Sequence, residues 1–278
     1  MAKVLSISSQ VVYGHVGNSA AAFVLQRMGH GTLSLPTVLL SNRPGYKALA
    51  GEPIDPAKLD AILTAIWDNG WLSDVDAILT GYVPTLEHAL LCERWISRIK
   101  TANPRALYLC DPIIGDEPHG IYIGEDAAHA ILRHLVPLAD ILTPNRFELA
   151  WLSGLPVSGF ASAIAAARTF AAKTVIVTSA PADADDYLAN ILVDGSAAHA
   201  TVSRRETVYA HGTGDFFAAN FLGRRLNGFD NKTALQAASA AIANVLDASG
   251  SKAELDLTGT QAQWASIDPP LAPVQAIS

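Results

Sequence analysis

The stretch YAHGTGDFFAANF, residues 209–221, sets two glycines, a threonine and an aspartate at the head of an apolar helical pattern. Glycines at a helix start let backbone N–H groups approach an anion closely, and the helix dipole favours negative charge there. Asp215 in that position has two readings. It is either an acid favoured by the helix dipole, or a base that takes the proton from a hydroxyl attacking a bound phosphate. The motif alone does not choose. It is not a dinucleotide fingerprint, because Phe217 stands where the third glycine belongs, and no G-K-[ST] of a Walker loop occurs.

A second group of acids lies in CDPIIGDE (110–117) and TPNRFEL (143–149). Asp111, Asp116, Asn145 and Glu148 fall on neighbouring strand ends. Magnesium is commonly held by one or two carboxylates plus phosphates and water, and this sparse set suits that arrangement. Caps and turns are the competing reading, since Asp-Pro starts turns and Thr143-Pro144-Asn145 can begin a helix. In SSQVVYGHVGNSAA (8–21) a strand is expected to end at Ser9. Gly14 and Gly17 then make a tight loop, with Asn18 or Ser19 as a cap. His15 fits a ligand contact or a hydrogen-bonded structural histidine equally well.

Residues of these kinds need elements that bring them together. Apolar runs at 3–8, 32–40, 75–80, 106–111, 140–145 and 173–179 read as buried strands. Helical patterns at 18–28, 56–69, 86–102 and 125–135 alternate with them, as in a parallel sheet covered on both faces. Residues 187–203 contain two alternating runs around Asp194-Gly195, an antiparallel hairpin at the sheet edge. Two helices, 213–226 and 231–248, follow. No repeat or linker divides the chain, so one domain is expected over 1–265, with 266–278 as a surface tail. Ligands of such sheets sit beyond the carboxyl ends of the strands, and the polar and glycine residues concentrate there.

Composition narrows the classes. The 278 residues are 50% hydrophobic and 16% charged, with net charge −7, which fits a well-buried soluble protein and argues against a nucleic-acid surface. Arg204–Arg205 and Arg224–Arg225 are only pairs. No run approaches the ~20 apolar residues of a membrane span. Cys92 and Cys110 lack metal-ligand spacing and read as reduced thiols, and the expected location is cytoplasmic.

Taken together, VVYGHVGNSAA, LSNRPGY, TGY, CDPIIGDE with GIYI, LADILTPNRFEL and HGTGDFFAANFL resemble, in order and spacing, the pyridoxal kinases of the ribokinase-like superfamily. The resemblance runs from about residue 4 to 247. It implies an α/β, three-layer αβα domain with a mostly parallel central sheet, and a homodimer. It implies transfer of the ATP γ-phosphoryl group to the 5′-hydroxymethyl of pyridoxal, pyridoxamine or pyridoxine, with Mg²⁺ and a monovalent cation, K⁺ or Na⁺. Asp215 then matches the catalytic base, and Gly212, Thr213 and Gly214 the anion hole. Asp111 and Glu148 match positions near Mg²⁺ and the phosphates. Thr143 and Ser179 match nucleotide-side positions, and Asp116 and Tyr122 the loop over the phosphates. Ser9, Val16, Arg43 and Tyr82 fall on the substrate side.

The departures are on the substrate side. Arg43-Pro44 replaces the His-Thr pair common in the family, and Gln10 stands where a histidine is usual. A guanidinium stacks on rings and holds anions but does not act as a neutral imidazole does, and proline removes a backbone donor. Arg43 as a solvent-facing turn residue is the bland alternative. Two other functions stay open: a kinase for another small alcohol, such as a hydroxymethylpyrimidine or a sugar, and a non-catalytic B6-binding protein. The retained Asp215, Asp111, Glu148 and glycine turn argue against a pure binder.

Overall fold

The computed structural model describes residues 1–182, 186–204 and 210–277. Arg205 and Tyr209, singled out in the sequence, lie outside the described residues. The first half contains β1 (Lys3–Tyr13), α1 (Asn18–Arg27), β2 (Gly31–Asn42), β3 (Gly51–Pro53), α2 (Pro56–Asp68), β4 (Ala77–Thr80), α3 (Leu86–Ala102) and β5 (Leu107–Cys110). A small hairpin follows, β6 (Gly115–Asp116) and β7 (Gly120–Ile121), then α4 (Glu125–Ala130), β8 (Ile141–Leu142), α5 (Arg146–Ser153) and α6 (Phe160–Ala167). The rest is β9 (Thr174–Pro181), β10 (Tyr187–Asp194), β11 (Ala197–Arg204), α7 (Thr213–Leu226), α8 (Asn231–Ser249), α9 (Leu257–Trp264) and β12 (Val274–Ala276).

Ten strands form one sheet in the order β12-β11-β10-β9-β8-β5-β4-β1-β2-β3. The pairs from β2 through β9 are parallel, and β3, β10, β11 and β12 add antiparallel edges. Alternation along the strands sorts the core into two layers. Leu5, Ile7, Ile78, Tyr108 and Val177 pack under α2–α6. Val4, Ala77, Leu79, Leu109 and Ile176 pack under α1, α7, α8 and α9. Strand neighbours lead one way from β1 to β2 and the other way from β1 to β4, so the chain changes direction between β1 and β4. The crevice expected at such a switch point opens where β1, β4 and β5 end.

The outcome departs from the sequence reading at several boundaries. The first strand does not end at Ser9. It passes a bulge between Ser8 and Gln10 and continues to Tyr13 because β2 offers partners as far as Asn42. The strand expected over 140–145 is only Ile141–Leu142, since Asn145 caps α5 and keeps only an isolated bridge to Thr178. The helix expected over 125–135 is α-helical to Ala130 and widens to a π turn over Ile131–Leu135. Helices α6 and α9 were not expected as elements, and α5 is the helix that Thr143-Pro144-Asn145 could begin. The tail ends in β12, which pairs with β11 through Thr201 and Val274.

Candidate active site

Gly212 enters α7 at φ 90°, in the left-handed region, and a Cβ there would lie 1.9 Å from the His15 carbonyl oxygen. Only glycine meets both conditions. The first helical hydrogen bond is Phe216 N–H to Gly212 C=O at 2.9 Å, and no side chain caps the helix. Among the described residues the N–H groups of Gly214 and Asp215 therefore have no carbonyl partner and open outward at the positive end of α7. Asp215 sits in this first turn. Burial raises its pKa to about 6, partly opposed by the Gly17 N–H facing the carboxylate. The turn is pressed onto the 14–17 loop because α7 packs on α1 through buried Ala20, Ala21, Ala218 and Ala219.

Asp111 follows β5 and faces the same turn. Its Oδ1 accepts the Thr143 hydroxyl at 2.8 Å, and its Oδ2 lies 3.9 Å from where a Cβ on Gly214 would stand. Burial, and then the negative charge of Asp215, push its pKa up to about 7, against the Thr143 bond. Glu148 is buried behind it. Its Oε1 accepts from Ile114 N–H at 3.0 Å and Gly115 N–H at 3.4 Å, and its Oε2 from Asn145 N–H at 2.9 Å. Asn145 Oδ1 in turn accepts from Glu148 N–H at 2.9 Å, completing a reciprocal cap on α5. Burial, and then Asp111, still hold Glu148 well above the ordinary carboxylate range. The cap reading of this segment thus applies: Asn145 caps α5, and Glu148 fixes the 114–115 loop through the same motif. Among the described residues no lysine or arginine pairs with Asp111, Glu148 or Asp215.

The β6–β7 hairpin carries Asp116 and half-exposed Tyr122. The Tyr122 phenol is raised first by burial, then by a hydrogen bond to Asp116. His119 Nδ1 is 3.0 Å from the Asp116 carboxylate. Ser179, exposed in β9, has φ 54°, strained for a residue with a side chain. It falls within a bulge against β10, next to Thr178, whose N–H bonds the Pro144 carbonyl at 2.9 Å.

At the switch point Ser8 meets Gly81: a Cβ on Gly81 would be 2.4 Å from the Ser8 hydroxyl, which accepts the Tyr82 N–H at 3.0 Å. Burial raises the Tyr82 phenol pKa. Ser8, Gly81, Asp111, Asp215 and Ala218 enclose a cavity of about 10 Å³ beneath the acids, room for about one water. Gly17 lies so near the bulge that a Cβ would sit 2.2 Å from the Ser9 hydroxyl, and Val16 Cγ1 is 3.4 Å from the Cβ position of Gly212. Gln10 Nε2 donates to Ser19 Oγ at 2.8 Å.

The profile of the phosphomethylpyrimidine kinase family matches residues 24–256. A pyridoxine/pyridoxal/pyridoxamine kinase of Bordetella avium is 39% identical over 241 residues, covering 85% of this chain and 81% of its own. A pyridoxal kinase of Leifsonia xyli is 34% identical over 266 residues, 94% of each chain. The chain belongs to the pyridoxal kinase family. The pyridoxal kinase of Leishmania donovani, solved with ADP and pyridoxamine, superposes with a TM-score of 0.92 at 30% identity, over 99% of each chain.

Within this family fold, Asp111 at the end of β5, Thr143 at the end of β8 and Glu148 on α5 converge on the α7 terminus of Gly212, Thr213, Gly214 and Asp215. Ser9 and Val16 border that group through Gly17 and Gly212, and Tyr82 through Ser8. Asp116 and Tyr122 stand on the hairpin beside it, and Ser179 adjoins it through Thr178, which bonds Pro144 and bridges Asn145. Arg43 is not a solvent-facing turn residue. Its side chain is 12% exposed and pairs with Glu254 at 3.2 Å, with the guanidinium carbon 4.7 Å above the Tyr46 ring. Glu254 escaped the sequence reading. It stands in SGSKAELDL, between two helices, where no periodicity or motif signals a partner 211 residues away. His15 acts here through its backbone, while its Nδ1 is buried without a partner among the described residues.

Proposed function

We propose that the chain is an ATP-dependent kinase that phosphorylates the 5′-hydroxymethyl group of pyridoxal, pyridoxamine or pyridoxine. The observation that carries the reading is Asp215: a partly buried carboxylate in the first turn of an uncapped helix, beside open backbone N–H groups. In this scheme Asp215 takes the proton of the acceptor hydroxyl as its oxygen bonds to the γ-phosphorus and the bond from phosphorus to the ADP oxygen breaks. The N–H groups of Gly212, Thr213 and Gly214 offset the charge on the transferred phosphoryl group, which fixed dipoles do without reorganising. With a pKa near 6 the carboxylate is largely ionised at neutral pH, yet close enough in basicity to share the proton.

Among the described residues no group of three acids or other ligating side chains is placed to hold a metal by itself, which suits a divalent cation bound mainly through phosphates and water beside Asp111. When bound, Mg²⁺ neutralises phosphate charge. Asp111 offers it the free Oδ2. Glu148, with both oxygens engaged by backbone N–H groups, holds the adjoining loop beside it. Asp116 and Tyr122 are assigned to the hairpin over the phosphates, and Thr143 and Ser179 to the nucleotide side. Ser9, Val16, Arg43 and Tyr82 border the acceptor. A homodimer, a cytoplasmic location and a K⁺ or Na⁺ requirement belong to the same proposal; no residues are assigned to the monovalent ion.

A second reading, phosphorylation of a hydroxymethylpyrimidine or another small alcohol, draws on the profile match and on Arg43-Pro44 in the substrate loop. ADP release with ATP and Mg²⁺ across pyridoxal, pyridoxamine, pyridoxine, hydroxymethylpyrimidine and ribose separates the two. The expected result is turnover confined to B6 vitamers and lost by about 10²- to 10⁴-fold in Asp215→Asn. Turnover on another alcohol alone establishes the second reading. Silence on all acceptors, with tight pyridoxal binding, makes the protein a binder.

A further inference from the structure

Glu254 joins three segments that no sequence motif connects. Its Oε1 accepts the Tyr46 hydroxyl at 2.7 Å and Arg43 Nε at 3.2 Å, and its Oε2 accepts the His15 N–H at 3.0 Å. Gly14 makes room for it, because a Cβ there would lie 2.6 Å from Oε2. Its own backbone bridges to His211, the residue before Gly212. The Arg43 guanidinium is tied down further by Pro44 C=O at 3.0 Å and Ala253 C=O at 3.5 Å. Tyr46 packs edge-on against Tyr13 at 5.9 Å. The 14–17 loop, the 42–46 loop and the entry to α7 thus meet at one carboxylate that is 14% exposed.

We infer that Glu254 is a positioning residue that fixes the substrate loops against the anion turn and thereby sets the affinity for the phosphoryl acceptor. This rests on the kinase reading above. The carboxylate touches neither phosphate-side acid; it acts through Arg43, Tyr46 and the His15 backbone. It also changes the meaning of the Arg43-Pro44 departure. The arginine's charge is met by Glu254, so its part is to brace the loop flat on Tyr46 rather than to offer a free cation to the substrate.

The test is Glu254→Gln with Glu254→Asp beside it, read by steady-state kinetics and by amide hydrogen exchange. Loss of one charge-assisted hydrogen-bond set should raise the acceptor KM by about tenfold, while the ATP KM and kcat stay within about threefold, since the mutation lies off the phosphate side. Glu254→Asp keeps the charge on a shorter stem and should fall between. Exchange should quicken at His15 and across 43–46. An unchanged acceptor KM overturns the inference, as does a parallel loss of kcat, both KM values and Tm, which marks a merely structural residue. If wild type turns over no acceptor, the kinase reading fails, and exchange still decides: unaltered protection at His15 in Glu254→Gln removes the latch itself.

Discussion

Asp111→Asn should make the protein more stable and less active, and the size of the gain follows from burial. Asp111 is 6% exposed, and in the folded chain its pKa rises from 3.8 to about 7, first because of burial and then because of Asp215. A group raised on folding contributes its full stability below the unfolded pKa and loses it as pH climbs through the folded value. The sign is therefore unfavourable at pH 8: relative to acid conditions, ionised Asp111 costs the native state about 4 kcal/mol. Part of that cost requires Asp215 to be ionised as well, so the two acids titrate together. Asparagine keeps an oxygen for the Thr143 hydroxyl and carries no charge. Between about 1 and 4 kcal/mol should return at pH 8, which for a chain of this size raises Tm by roughly 2–4 °C per kcal/mol. Thermal melts at pH 5 and pH 8, with and without Mg²⁺, read it directly. The gain should be large at pH 8, small at pH 5, and diminished when Mg²⁺ stabilises the wild type alone. A variant less stable than wild type at pH 8 without Mg²⁺ would show that the carboxylate is a net structural asset and refute the reasoning.

Other consequences are as definite. If Asp215 is the base, kcat/KM should fall about tenfold per pH unit below its pKa of about 6, because the protonated form accepts nothing; a flat profile from pH 5 to 8 removes that role. Gly212→Ala must relieve both a positive φ and a 1.9 Å approach to the His15 carbonyl. It should cost about 2–4 kcal/mol in chemical denaturation, with activity falling further as the turn shifts. Retention of full activity there would mean that the anion turn does not depend on this contact. Glu148→Ala should strip acceptors from three backbone N–H groups and destabilise the protein by about 3 kcal/mol or more; a neutral result in urea titration contradicts the assignment of Glu148 as the anchor of the 114–115 loop.

The elements most faithfully legible in the sequence were those with long, uniform periodicity. Residues 86–102 and 213–226 form helices over the expected spans, and the Asp194-Gly195 turn closes its hairpin. The short pieces were not. The β6–β7 hairpin has two residues per strand, and α5 grows out of a turn whose polar residues look the same whether they cap or bind. Helix α9 sits in a stretch with almost no amphipathic stripe, and its burial comes from Trp264 inserted between Phe23 and Phe216.

By itself the sequence determined the parallel-sheet grammar, the glycine turn ahead of Asp215 and the acids that follow the strands, because these depend on residue type and local spacing. Tertiary structure decided how the acids are charged, since burial raises the pKa values of both Asp111 and Asp215, and the charge of Asp215 raises that of Asp111 further. It also carried β1 past Ser9 to Tyr13, because β2 offers partners there. And it gave Arg43 its neighbour: the bond to Glu254 spans 211 positions, and chain closure over that distance leaves no trace in the spacing of either residue.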